Sequence, residues 1–132
     1  MQYLTILSLI LFSLQLQAQS SIMQPSISPD GQYLAFSFQG DIWISDRSGN
    51  NTKRLTIHEA YEANPIWSKD GKAIIFSSDR YGNDDIFRTP IAGGTPERLT
   101  HHSAGDSPYS ISPSGDILFT TSRNYRQVER ER

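Results

Sequence analysis

The chain has 132 residues, no cysteine and a formal net charge of −2 at neutral pH. The length allows one domain of moderate size. The absence of cysteine excludes a disulfide framework and a lipid-anchored cysteine, and the balanced charge gives no indication of a nucleic-acid surface.

An uncharged apolar segment lies near the start of the sequence. Residues 4–16 contain no Asp, Glu, Lys or Arg, and Ala18 follows at a position typical of signal-peptide cleavage. The segment is too short for a helix that crosses a bilayer, which needs about 20 residues. We predict that residues 1–18 form a secretory signal peptide, although no Lys or Arg precedes the apolar run; a buried N-terminal helix or strand is the alternative. No second long apolar stretch follows, so we expect an exported protein, periplasmic or secreted, without a membrane span after cleavage.

After the apolar segment the chain repeats. The tetrapeptide Ser28–Gly31 (SPDG) returns as Ser68–Gly71 (SKDG) and as Ser112–Gly115 (SPSG). The tripeptide RLT occurs at Arg54–Thr56 and again at Arg98–Thr100. Recurrence of the same residue types at intervals of roughly 40 residues is the pattern of a repeat protein.

The intervals between these blocks also match. Ile42 and Leu55 are 13 positions apart, and so are Ile86 and Leu99. The second repeat is longer than the first by four residues, all within residues 78–84 (SDRYGND). A polar loop insertion there leaves the other intervals unchanged, which indicates one structural unit copied along the chain.

Each repeat predicts four short antiparallel strands joined by turns. In Ser-Pro-Asp-Gly the proline presets φ for a type I turn, and the glycine accepts the positive φ that a bulged hairpin requires. The flanking segments are rich in β-branched and aromatic residues and are apolar on both faces. In the second repeat the predicted strands are 65–67, 73–76, 85–87 and 97–100.

This pattern favours an all-β fold of β-propeller blades, which stack face to face around an axis. A β-sandwich is the alternative, but it does not need the recurring intervals. The predicted domain is a partial propeller of residues 19–132, with blades at about 24–56, 64–100 and 107–122 and a charged tail at 123–132. About two and a half blades fall short of the four to eight that close a ring. We therefore expect an incomplete ring with exposed apolar blade faces.

The blocks SPDG, LAFS, GDIWISD and RLT resemble the TolB-type, WD-like propeller repeat. Three stretches are similar to the N-terminal propeller of bacterial tricorn protease homologues: SSDRYGNDDIF (77–87), AGGTPERLT (92–100) and HHSAGDSPY (101–109). The resemblance covers about residues 24–123.

This resemblance implies a much larger protein with two propellers, a PDZ-like domain and a C-terminal serine peptidase core. The chain would then be the non-catalytic N-terminal part of an exported tricorn-like serine protease, gating or channelling peptides to a distant peptidase core. The alternatives are a TolB-like periplasmic protein-binding propeller, or the propeller of another hydrolase of the amidohydrolase or prolyl oligopeptidase type. Expected partners are peptides or proteins bound through propeller loops, and the remaining blades and peptidase core of the parent protein.

Candidate chemical groups have simpler structural interpretations. His58 and Glu59 lack the second histidine of the zinc-protease motif HExxH. His101 and His102 follow RLT in a connection between blades, where contact with a passing peptide is the functional alternative to a loop role. A calcium site would draw on the oxygen-rich cluster of Asp79, Asn83, Asp84 and Asp85. The spacing of that cluster is not that of an EF-hand loop, and its residue types are ordinary in hairpins.

The other candidates have structural roles in the predicted fold. Asp30 and Asp70 are turn residues, and Trp43 and Trp67 are interpreted as blade packing rather than ligand platforms. The pair 93–94 is a glycine turn without the spacing of a phosphate loop, and no nucleophile motif G-x-S-x-G occurs. We predict no catalytic, cofactor-binding or metal-binding residue in this chain.

Overall fold

The computed structural model describes residues 21–123, which form ten β-strands and no helix. The predicted signal peptide and residues 124–132 of the predicted tail lie outside the described residues. Within the described part, no helix has the length and apolar character needed to cross a membrane.

The strands follow one another at short intervals. They are β1 (Met23–Ile27), β2 (Tyr33–Phe38), β3 (Asp41–Asp46), β4 (Lys53–Arg54), β5 (Glu62–Trp67), β6 (Ala73–Ser78), β7 (Asp85–Pro90), β8 (Glu97–Arg98), β9 (Asp106–Ile111) and β10 (Ile117–Thr121). The four strands predicted for the second repeat are present as β5 to β8. The last of them is shorter than predicted. The N–H of Ile86 donates to the side-chain hydroxyl of Thr100 at 2.9 Å instead of to a backbone carbonyl of the fourth strand.

The strands form three antiparallel sheets. Sheet 1 has the order β1-β2-β3-β4, sheet 2 the order β5-β6-β7-β8, and sheet 3 pairs β9 with β10. Neighbours within a sheet are also neighbours in sequence, as in a propeller blade. The prediction of an all-β fold with four-stranded blades is confirmed, and the three described sheets do not close a ring.

The core lies between sheets 1 and 2. Sheet 1 contributes Ala35, Ile42 and Ile44, and sheet 2 contributes Trp67, Ile74, Phe76 and Phe87. Complete burial of an aliphatic or aromatic side chain of this size stabilises a fold by about 1.5–3 kcal/mol. All six residues of β6 are buried, because sheet 2 is packed against sheet 1 on one side and sheet 3 on the other. Packing on both sides of sheet 2 therefore explains why its interior strands are apolar on both faces.

The other face of sheet 1 carries no further sheet within residues 21–123. Leu34, Phe36 and Trp43 line a cavity of about 340 Å³ on that face. They are the repeat equivalents of Ile74, Phe76 and Phe87, which sheet 1 covers in sheet 2. This apolar surface agrees with the expectation that isolated blades expose their faces.

The three glycine turns have the predicted left-handed backbone. Gly31, Gly71 and Gly115 have φ of 70°, 69° and 98°. Each donates its N–H to the carbonyl of the serine three residues earlier, at 2.8–2.9 Å. A side chain at these positions would be strained, since L-residues rarely adopt this φ.

The turns differ in length by one residue. The third is a three-residue loop, closed by the N–H of Ser112 and the carbonyl of Asp116 at 2.9 Å. The first two are four-residue loops, since Gln32 and Lys72 follow the glycine before the next strand begins. The N–H of Gln32 donates to the carboxylate of Asp30 at 3.0 Å, and the second turn repeats this contact. The third turn has serine at the aspartate position and lacks the extra residue.

The antiparallel order places the connections on two opposite edges of the sheets. We call one the loop edge; it comprises residues 39–40, 55–61, 79–84 and 99–105. We call the other the turn edge; it comprises residues 28–32, 47–52, 68–72, 91–96 and 112–116. The connection 39–40 is a two-residue hairpin with φ of 51° and 81°, as in a type I′ turn. Its counterpart 79–84 has six residues, which confirms the predicted four-residue insertion.

Candidate binding surfaces of the blades

The first strands of the three sheets, β1, β5 and β9, lie side by side. The register of β1 against β2, and of β5 against β6, shifts at a bulge. Gln24 and Asn64 lie at these bulges with φ of 53° and 54°. Non-glycine residues seldom adopt such a backbone, so other contacts must hold it.

Hydrogen bonds across the three strands supply those contacts. The side-chain oxygen of Gln24 accepts the N–H of Asn64 at 2.9 Å and the hydroxyl of Ser37 at 3.0 Å. The side-chain amide of Asn64 donates to the hydroxyls of Ser77 at 3.2 Å and Ser107 at 2.8 Å. We call Gln24, Asn64 and Ser107 the inner ladder. It joins all three sheets along their first strands, and the side chain of Gln24 remains exposed.

The loop edge links each sheet to the one before it. The N–H of Glu62 donates to the carbonyl of Gly40 at 2.9 Å, and the N–H of Asp106 donates to the carbonyl of Asp84 at 2.7 Å. The side-chain amide of Asn83 adds bonds to the carbonyls of His102 and Ala104, at 3.0 and 3.1 Å. The inserted loop 79–84 is therefore a docking platform for the next connection.

Ion pairs with buried carboxylates recur beside this edge. Arg54 pairs with Asp41, and Arg98 with Asp85, both at 2.6 Å. These two pairs join the third and fourth strands of their sheets. They explain why RLT keeps a fixed distance from the aspartate that opens the third strand, a regularity that is present in the sequence.

In sheets 2 and 3, a second series joins the first strand to the segment that follows the second strand. Arg80 pairs with the fully buried Glu62, and Arg123 pairs with Asp106 at 2.6 Å. Burial raises the pKa of Asp106, but hydrogen bonds from Thr121, Arg123 and Thr100 outweigh it, so the pKa lies below its ordinary value. Sequence reasoning missed this series, because its partners belong to different blocks of the repeat.

Two exposed tyrosines are fixed on the loop edge. Tyr81 stacks on Phe87 with ring centroids 6.1 Å apart and an angle of 8°. The guanidinium of Arg98 lies 4.4 Å from the centre of the Tyr81 ring. The ring of Tyr61 lies against Gly40, where an added Cβ would approach it to 3.3 Å. Both rings therefore keep defined positions while remaining 62% and 54% exposed.

Known proteins share this repeated blade architecture. Residues 19–132 match the family described as the tricorn protease N-terminal β-propeller domain. The chain belongs to this family.

Individual relatives of the propeller are longer proteins. The uncharacterized protein Atu1656 of Agrobacterium fabrum is 37% identical over 101 residues, which cover 71% of this chain and 34% of Atu1656. Tricorn protease homolog 1 of Streptomyces coelicolor is 30% identical over 73 residues, or 55% of this chain and 7% of the homologue. The structure of a putative TolB from Agrobacterium tumefaciens has a TM-score of 0.67 at 32% identity, covering 82% of this chain and 40% of that protein. The chain thus spans well under half the length of each.

The propeller places most candidate side chains from the sequence on its loop edge. These are His58, Glu59, Asp79, Asn83, Asp84, His101 and His102, and Asp85 opens β7 directly after them. His58 and His102 make the same local contact: each ring Nδ1 accepts the backbone N–H two residues later, at 2.9 and 3.0 Å. The two histidines therefore order their connections.

The oxygen-rich cluster of the inserted loop is divided among separate contacts. Asp79 accepts the N–H of Tyr61 at 2.8 Å, Asp85 pairs with Arg98, and the Asn83 amide caps carbonyls. Among residues 21–123, no group of three or more His, Asp or Glu side chains is arranged to hold a metal ion. Burial raises the pKa of Asp84, and the charges of Asp79 and Asp85 raise it further.

The remaining candidates lie away from the loop edge. Asp30 and Asp70 are on the turn edge, where hydrogen bonds from Ser28 and Ser68 lower the pKa of each carboxyl. The indole of Trp67 packs in the core and donates to the carbonyl of Ser26 at 3.0 Å. Trp43 lies on the open face of sheet 1, against Phe38. The glycine pair 93–94 belongs to the turn edge.

Proposed function

We propose that this propeller is a non-catalytic binding part of an exported, tricorn-like serine protease, which gates or channels peptides to a peptidase core elsewhere in the protein. The observation that carries the proposal is the inner ladder. It provides amide and hydroxyl groups along adjacent strands that face the propeller axis, and Gln24 is exposed there. Such groups suit hydrogen bonding to the backbone of an extended peptide.

Export is supported by the sequence alone. Residues 4–16 are uncharged and apolar, and Ala18 follows them. We propose cleavage after residue 18 and a periplasmic or secreted propeller of blades at 24–56, 64–100 and 107–122.

A second candidate function is a TolB-like module that docks a folded protein partner. The structural likeness to the putative TolB of Agrobacterium tumefaciens supports it. The two functions use different surfaces in our proposal: an extended peptide contacts the inner strands, whereas a folded partner contacts the loops.

Peptide binding by the 132-residue chain tests the first function. The probe is a set of fluorescein-labelled, unstructured twelve-residue peptides, and the measurement is fluorescence anisotropy. We expect binding, and we expect Gln24→Gly to weaken it about three- to tenfold, since one hydrogen bond contributes about 0.5–1.5 kcal/mol. Glycine is chosen because it keeps the left-handed backbone at this position.

The matched control is Asn51→Gly. Asn51 also has a left-handed backbone, with φ of 51°, and a side-chain bond to Asp46 at 2.8 Å, but it lies on the turn edge. This change should leave peptide affinity unaltered. Absence of binding to any peptide, or equal weakening by both variants, contradicts the proposed use of the inner ladder.

A further inference from the structure

The loop edge of sheet 2 exposes apolar groups beside a groove. Ile57 is 78% exposed, and Tyr61 and Tyr81 are more than half exposed. A groove of about 370 Å³ extends from Ile57, His58 and Arg80 to residues 94–96, and the bond from the N–H of Tyr61 to Asp79 ties the two connections together. Exposed tyrosines held in defined positions are typical of protein-binding surfaces, where aromatic anchors dominate the binding energy.

The charges around these groups that have no ion-pair partner are negative. Arg80 on this edge, and Arg54, Arg98 and Arg123 beside it, are all engaged in ion pairs with buried carboxylates. Exposed Glu59, Asp79 and Asp84 flank the tyrosines, and none of the three forms an ion pair within residues 21–123. The surface is therefore apolar at its centre and negative at its margin.

We propose that this surface, formed by Ile57, Tyr61 and Tyr81 with Glu59, Asp79 and Asp84, docks a basic segment of a partner protein that carries Lys or Arg next to an apolar side chain. The apolar side chain packs against the tyrosines and Ile57, and the cation lies among the carboxylates. Burial raises the pKa of Asp84, and the charges of Asp79 and Asp85 raise it further. A cation bound there relieves the mutual repulsion of these carboxylates. This inference rests on the second candidate function, in which a protein partner contacts the loops, and it names the class of partner.

The test compares three labelled ten-residue peptides on the 132-residue chain by fluorescence anisotropy. One carries four lysines and two leucines, the second replaces lysine by glutamate, and the third replaces it by serine. We expect the basic peptide to bind at least about tenfold more tightly than the acidic one at low salt, and less tightly as salt rises, because exposed charges are screened.

The charge variant is Asp79→Asn with Asp84→Asn. Asparagine keeps the oxygen that accepts the N–H of Tyr61, so the loop retains its fold. We expect affinity for the basic peptide to fall about five- to tenfold, since each exposed pair contributes up to about 1 kcal/mol. The matched control, Asp46→Asn with Asp70→Asn, removes the same charge at the opposite end of the sheets, where Asp46 ends β3 and Asp70 lies on the turn edge. It should change affinity less than twofold.

Tyr81→Ala tests the apolar part, with Tyr109→Ala as its control, because Tyr109 is 74% exposed on β9. Equal binding of basic, acidic and serine peptides overturns the inference but leaves the proposed function standing. An equal loss of affinity for the basic peptide in both charge variants also overturns it, since the peptide would then be attracted by the overall charge and not by this surface. Binding of no peptide at all contradicts both the inference and the proposed function.

Discussion

In this propeller, the backbone conformation and the pKa of individual residues are set by the contacts that each residue makes. The turn glycines are predictable, because only glycine accepts their φ without strain. Gln24 and Asn64 have a similar left-handed backbone without being glycine. Their conformation is held by hydrogen bonds between sheets, so no local sequence rule identifies them.

Two aspartates at different edges should respond to pH in opposite ways. The pKa of Asp84 is raised in the folded protein by burial and by Asp79 and Asp85, so its ionised form opposes folding. We expect Asp84→Asn to raise the urea midpoint at pH 7. The gain should shrink as pH falls and vanish below the pKa of unfolded aspartate, about 3.9.

Asp70 provides the opposite case. Hydrogen bonds from Ser68 and from the N–H of Lys72 lower its pKa, so the carboxylate stabilises the fold above its unfolded pKa and loses that effect as pH falls through the folded value. Asp70→Asn should therefore lower the midpoint at pH 7, with the loss fading in acid. Shifts of the same sign for both variants would contradict these assignments.

At the scale of elements, the repeat unit is a sheet whose third and fourth strands are joined by a buried ion pair. The Asp41–Arg54 and Asp85–Arg98 pairs have the same length and sequence separation. Their surroundings differ: the side chain of Arg54 is 40% exposed, whereas that of Arg98 is 26% exposed and its partner is fully buried. Removing one member of a buried pair leaves an uncompensated charge.

We therefore expect Arg98→Gln to cost more stability than Arg54→Gln. Loss of the buried pair should lower the free energy of unfolding by about 3 kcal/mol, and loss of the more exposed pair by about 1 kcal/mol. Arg98→Gln also removes the cation that lies over Tyr81. Urea unfolding measures both, and equal losses would show that burial does not distinguish the pairs.

At the scale of the whole molecule, stability is carried by stacking of one sheet on the next. Sheet 2 is covered on both faces, whereas β1 is largely exposed and the last described strand, β10, has no buried residue. In a stack of repeats each unit contacts only its neighbours, so stability is highest at the centre.

Hydrogen exchange should follow that gradient. We expect the amides of β6 to exchange most slowly and those of β1 and β10 much faster, because the outer strands open without exposing the central core. Mass spectrometry of peptides from the 132-residue chain measures this. Uniform protection across all three sheets would indicate one cooperative unit instead.

Much of the fold followed from the sequence. The turn glycines, the fixed interval of Leu55 and Leu99 from the strands before them, and the insertion at 79–84 predicted four-stranded blades that the structure contains. These features are local, since turn chemistry and alternation of apolar residues act over a few neighbouring positions. The sequence also indicated which residues carry charge on the loop edge, but not what they contact.

Only the tertiary structure decided how distant residues meet. It placed Gln24 against Asn64, Arg80 against Glu62, and the exposed Tyr81 on Phe87. Each contact joins segments that are separate in the chain or lie on different strands, and its geometry depends on how the strands pair and the sheets stack. By itself, the sequence determined that this protein is built from propeller blades. Packing of those blades determined which of its polar and aromatic groups are buried as supports and which remain available to a partner.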